Sequence, residues 1–145
     1  MKYFMLVLSV IFTLFVFSMS LETGEQSSAV SSRVSLSLYN IIGNIFPNNH
    51  IDFDTFHLYI RKLAHITEFF ILGVLWLSTF YLFKWNITLA IFLGLLIASL
   101  DEGIQLFIVD RGPSLIDLLV FDFLGYLLGQ GFVRLFFINK NKVSF

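Results

Sequence analysis

Three short motifs set acids, a histidine and cations at fixed spacings: Arg61-Lys62-x-x-His65-x-x-Glu68, Asp101-Glu102-x-x-Gln105, and Arg111-Gly112-Pro113-Ser114-x-x-Asp117, with Asp122 following. Their residue types permit three chemistries. Carboxylates with an imidazole can hold a divalent cation, Mg²⁺ or Mn²⁺ on hard oxygens, with the His widening the choice. His65, Glu68, Asp101 and Asp122 are the candidate metal ligands, with Glu102 and Asp117 as further oxygen donors. A positioned acid or imidazole can instead pass a proton, which makes His65, Glu68, Asp101, Glu102 and Asp122 the catalytic candidates. Finally, Arg forks match phosphate oxygens. Arg61, Lys62, Gln105, Arg111, Ser114 and Asp117 are therefore candidate ligand-binding residues, and a helix starting at Ser114 would aim backbone N–H groups at an anion. Pro-Ser-Gly-His, His-Glu-x-x-His and Gly-x-Ser-x-Gly do not occur, so no familiar hydrolase signature supports the enzyme reading.

The elements that must position these residues are greasy. Of 145 residues, 57% are hydrophobic and only 13% charged, and the mean hydropathy is +0.85. A soluble domain of that balance would expose large apolar patches, so the chain reads as one integral membrane domain over residues 1–145. Net charge is −1 and no basic cluster suggests a nucleic-acid partner. The absence of cysteine excludes disulfides, thiolate metal sites and a thiol nucleophile. Four apolar segments, at about 3–21, 60–83, 87–109 and 115–138, each approach the ~20 residues that cross a bilayer as a helix. The first has a signal-peptide-like start at Lys2 and small residues in "SMSLE", but its apolar run is long and reads as an uncleaved span.

Lys2, Lys84, Arg134, Lys140 and Lys142 fall on one side of the spans, and Arg33, Arg61, Lys62 and Arg111 on the other. The positive-inside rule then places both termini in the cytoplasm of a bacterial cell and the 22–59 loop outside. That loop opens with the polar tract "ETGEQSSAVSS". Val30, Val34, Leu38, Ile41, Ile42 and Ile45 then recur at helical spacing opposite Ser31, Ser35, Asn40 and Asn44. The pattern predicts an amphipathic helix, lying on the outer surface or packed on the spans, ended by Pro47 and the asparagines after it. The expected fold is all-α: a bundle of four transmembrane helices plus this helix between the first and second.

Depth brings the motifs together. At 1.5 Å per residue, Glu68 lies ~24 Å above the flank at Lys84, Asp101 and Glu102 ~24–26 Å above Trp85, and Asp117 and Asp122 ~26 and ~18 Å above Arg134. The acids of three helices therefore share the outer third of the bilayer. Helical spacing also groups Arg61, His65 and Glu68 with His57 and Leu72, Asp101 and Gln105 with Ala98 and Gly94, and Asp122 with Gly125 and Gly129. Small residues below the acids permit close helix approach. The prediction is a polar pocket that opens outward.

Structural roles compete for several of these residues. "SLID" can be a capping box, with Ser114 as N-cap and Asp117 reaching back to it. His65 can pair with Glu68, Asp101 with Arg111, and Arg61 with Glu68, as ion pairs that lock the bundle. Asp110 and Lys62 read as facing water, and His50 and His57 as belonging to the outer loop and the start of the second span. The inner halves, "WLSTFYLF" and "ITLAIFLGLL", are nearly wholly apolar, which argues against a proton-linked path to the cytoplasm.

"IRKLAHITEFFILG" (60–73), "LDEGIQLFIVDRGPSLIDLLVFDFLGYLLG" (100–129) and the upstream "FSMSLETGEQSSAVSS" (17–32) together resemble the VanZ-like family of bacterial membrane proteins. The resemblance covers nearly the whole chain, and every element of the ordered polar pattern is present. Phe69 and Phe70 stand near the second motif, where the family often has a phenol. The family name comes from a member associated with teicoplanin resistance, so the resemblance implies a role at the cell envelope without supplying a mechanism. The expected partners are a membrane lipid, a lipid-linked wall precursor or a lipoglycopeptide, and the expected place is the bacterial cytoplasmic membrane.

Overall fold

The computed structural model describes residues 1–46, 51–112 and 114–138. Pro47, His50, Pro113, Lys140 and Lys142, which carried sequence arguments, lie outside the described residues. The chain is all-helical, with α1 at Lys2–Ser20, α2 at Gly24–Ile45, α3 at Phe53–Phe83 and α4 at Ile87–Gln105. The last span, Asp117–Ile138, is π-wound over Asp117–Phe123, α-helical over Leu124–Val133 (α5) and π-wound again over Arg134–Ile138. Among the described residues four helices are long and apolar enough to cross a membrane: α1, α3, α4 and the last span.

Local chemistry sets the helix ends. Thr23 caps α2, accepting from the Gln26 N–H at 3.3 Å while Gln26 Oε1 accepts from the Thr23 N–H at 3.2 Å, a reciprocal capping box. The polar tract expected as loop is therefore the first turns of α2. Asp52 caps α3 by accepting from the Thr55 N–H at 3.1 Å, so α3 begins seven residues before the expected Ile60. The third span is shorter than expected and stops at Gln105 rather than Val109. There the chain turns, Asp110 takes a left-handed conformation (φ 59°), and the Val109 carbonyl accepts from the Gly24 N–H at 3.1 Å.

Helix α3 touches every other helix. Its buried Phe69 and Leu72 join Val16, Ile97, Ala98 and Tyr126 in one core, and Leu77 and Phe80 join Ala90 and Val133 in another. Ser9 and Thr79 hydroxyls bond at 2.9 Å and the Trp76 indole donates to Thr13 at 3.0 Å, tying α1 antiparallel to α3. Lys2, Lys84 and the end of the last span consequently share one end of the bundle, and Ser20, Gln105 and Asp117 the other. Helix α2 runs antiparallel along the first turns of α3. Ser31 bonds His57 at 2.8 Å, and Tyr39 meets the rings of Phe53 and Phe56. The small polar stripe of α2 makes this contact, Ser35 being buried, while Val30, Val34, Leu38, Ile41 and Ile45 remain exposed.

Backbone proximity between α3 and α5 is extreme. A Cβ on Gly129 would stand 2.0 Å from the Phe70 carbonyl oxygen, and one on Gly73 2.1 Å from that of Tyr126. Only hydrogens fit there, so the two helices touch main chain to main chain. Tyr126 lies under Gly94 of α4 and donates its hydroxyl to the Ala90 carbonyl at 2.8 Å. Gly129→Ala is expected to lower the thermal unfolding temperature in detergent, by the equivalent of about 1–3 kcal/mol of overpacking. Gly43→Ala, whose added methyl meets nothing within 4 Å, is expected to raise it slightly, by about 0.5–1 kcal/mol.

Candidate functional site

Each helix of the bundle brings one piece of polar chemistry to the Ser20 end. Asp101, on α4, is 1% exposed; it accepts from the Ser20 hydroxyl of α1 and from the Gln105 amide at 3.1 Å. Asp122, on the last span, is 0% exposed, and its Oδ1 lies 3.1 Å from His65 Nδ1 of α3. One ligand-capable atom from each of His65, Asp101 and Asp122 lies within 4.8 Å of the other two. Three helices thus each supply one member of this cluster.

The π winding explains how two acids of the last span both reach α3. In a π turn the hydrogen bond runs from residue i to i+5, so residues five apart stand over one another. Asp117 and Asp122 are five apart. Asp117 forms an ion pair with Lys62, and Asp122 faces His65, three residues further along α3. A regular α-helix would splay the two acids to different faces.

Several expected pairings are replaced by others. Asp117 does not close a capping box: Ser114 Oγ accepts from the Ile116 N–H at 3.2 Å, but the Ser114 N–H donates to Glu102 Oε2 of α4 at 2.9 Å. The acid that completes this helix start thus comes from another helix, and the Ser114 N–H is not open to an anion. Glu102 consequently stands apart from the central cluster and lines a separate cavity with Ser99, Leu106 and Leu118. Lys62 does not simply face water, since it meets Asp117 and stands 5.0 Å from the centre of the Phe121 ring. His65 pairs with Asp122 rather than Glu68.

Arg111 makes no ion pair with Asp101. Its Nη2 donates to the Met19 carbonyl at 2.9 Å and its Nε to the Glu22 carbonyl at 3.1 Å. The cation therefore covers the C-terminal carbonyls of α1, where positive charge is favoured. Burial pulls the Arg111 pKa below the usual arginine value, and the nearby Arg61 charge acts in the same direction; the guanidinium stays charged. Arg61 forms no ion pair with Glu68, and neither side chain has a hydrogen-bond partner among the described residues.

Two cavities meet at Arg61, His65 and Arg111. One, of about 220 Å³, has an apolar wall of Met19, Val30, Val34, Ile60 and Ala64 and also exposes Glu68. The other, of about 190 Å³, is polar, with Lys62, Gln105, Asp110 and Asp117 in its lining. Sequence reasoning missed Ser20, whose only signal was its place near the outer end of a span, and it missed the contribution of α2 to the apolar wall. It also passed over buried polar side chains toward the Lys84 end, Ser9, Thr79 and Gln130, which carry no ionisable group.

The VanZ/LLP1 family model matches residues 2–137 of the chain. No curated protein and no solved structure matches it. The matched range takes in the whole polar cluster and every apolar span but for one terminal residue, and so the chain is a multi-pass membrane protein that belongs to the VanZ/LLP1 family.

Proposed function

We propose that the Ser20 end of the bundle faces outward from the bacterial cytoplasmic membrane and binds the anionic headgroup of an envelope lipid. Arg61 carries this reading. It is a guanidinium without an ion-pair or hydrogen-bond partner among the described residues, at the junction of an apolar-walled cavity and a cation-rich one. An amphiphile with a phosphate or pyrophosphate head matches both halves, the chain against Val30, Val34 and Ile60 and the head on Arg61. Lys62 and the remaining N–H groups of Arg111 add positive charge beside it. A lipid-linked wall precursor has this chemistry. A lipoglycopeptide of the teicoplanin type offers an acyl chain and anionic groups to the same surface, and its capture there would contribute to resistance.

The hydrogen bond between His65 and Asp122 favours a second reading, a hydrolase or transferase acting on such a lipid. A carboxylate that orients an imidazole is the arrangement of a general base, and His65 lines both cavities.

Native mass spectrometry of the purified chain is expected to show a co-purifying phosphate-bearing lipid. Arg61→Ala should weaken its retention about tenfold to a hundredfold, the equivalent of ~1.5–3 kcal/mol for a charge-assisted hydrogen bond. Arg61→Lys should fall between, keeping the charge and losing the fork. Unchanged lipid occupancy in both variants would remove the headgroup reading. Direct titration of the purified chain with teicoplanin separates the drug from a wall lipid as the ligand, and teicoplanin susceptibility of cells carrying the same variants tests whether the site contributes to resistance.

The outward orientation has its own test. The natural sequence has no cysteine, so Gly112→Cys introduces a unique thiol in the exposed turn. Labelling by an impermeant thiol reagent in intact cells is expected; labelling only after permeabilisation reverses the topology.

A further inference from the structure

We infer that His65, Asp101 and Asp122 form a binding site for one first-row divalent cation, of the Mn²⁺ or Zn²⁺ class. The inference does not depend on the headgroup reading. It begins with charge. Asp101 and Asp122 are 1% and 0% exposed, and carboxylates so enclosed need a compensating charge. Arg111 directs two donors to the Met19 and Glu22 carbonyls at the end of α1 and Lys62 is held by Asp117. His65 is the only cationic group in ion-pair contact with either buried acid among the described residues. One imidazolium cannot balance two carboxylates, whereas a divalent ion beside a neutral imidazole does.

Coordination geometry agrees. Donor atoms from three helices already lie within 4.8 Å of one another, and modest contraction brings them around one ion. Asp122 Oδ2 is enclosed and has no hydrogen-bond partner among the described residues, which leaves a buried acceptor on a member of the cluster without compensation. The other acid is oriented from outside: the Ser20 hydroxyl and the Gln105 amide donate to opposite oxygens of Asp101, as supporting groups do around ligating carboxylates. A mixed set of one nitrogen and two carboxylates suits Mn²⁺ or Zn²⁺ better than Mg²⁺, which prefers oxygen and retained waters. His65 lines both cavities, which gives an ion a way in and leaves coordination positions facing them.

The full-length chain in detergent, stripped with chelator and dialysed, is titrated with Mn²⁺ or Zn²⁺ alone. Elemental analysis should find about one equivalent per chain, and bound Mn²⁺ should lose its sharp six-line electron paramagnetic resonance signal. Asp122→Asn and Asp101→Asn should each weaken binding at least tenfold, and His57→Gln, which touches Ser31 outside the cluster, should not. Ser20→Ala keeps all three ligands and should weaken binding about tenfold, the lower end of the usual effect of losing a supporting hydrogen bond. Metal should raise the unfolding temperature of the natural chain but not of Asp122→Asn, a readout that stays informative if a variant is less stable. No retained metal and no thermal shift in the natural chain would sink the inference, leaving a hydrogen-bonded histidine and two carboxylates. Equal binding by the natural chain and both Asp variants would equally overturn it, by placing the ion elsewhere.

Discussion

Two carboxylates enclosed among apolar helices impose the main constraint on this bundle. Asp101 and Asp122 lie where water does not reach, and a buried charge without partners is costly. Their partners come from every side: Ser20 from α1, His65 from α3, Gln105 from the carboxylate's own helix. Satisfying the acids therefore requires α1, α3, α4 and the last span to meet at one level. The polar cluster specifies the register of helices whose apolar surfaces would slide past one another with little penalty.

Close backbone packing makes that meeting possible. In lipid, apolar side chains gain little by leaving one apolar surface for another. Contact between α3 and α5 depends instead on glycines that let main chains touch at Gly73 and Gly129. The same approach carries Asp122 toward His65, each about two turns above. Packing and polar chemistry thus reinforce one another: glycines set the distance, and the acid–histidine pair sets the axial position.

Much of this was legible in the residues. Hydropathy located the four spans, because lipid enforces helix geometry, and the motifs that supply His65, Asp101 and Asp122 do meet at one end of the bundle. Helical periodicity also placed Ala98, Gly94, Gly125 and Gly129 on packing faces. Less legible were features that depend on winding or on distant partners. A π stretch has no spacing signal of its own, so the shared face of Asp117 and Asp122 was invisible. The capping rule for "SLID" was right about Ser114 and wrong about its acid, because Glu102 reaches in from another helix. Sequence likewise gives no hint that two donors of Arg111 meet the Met19 and Glu22 carbonyls. The span limits erred where capping by Asp52 and the turn at Asp110 overrode hydropathy.

The cap that Arg111 places on α1 joins residues about ninety positions apart. During synthesis α1 enters the membrane long before that arginine is made. Its terminal carbonyls, and the Ser20 hydroxyl, wait for the hairpin of α3 and α4 to follow. The outer end of the first span therefore gains its cap only from the turn that follows α4, and the polar site is complete only once the last span brings Asp122 to it.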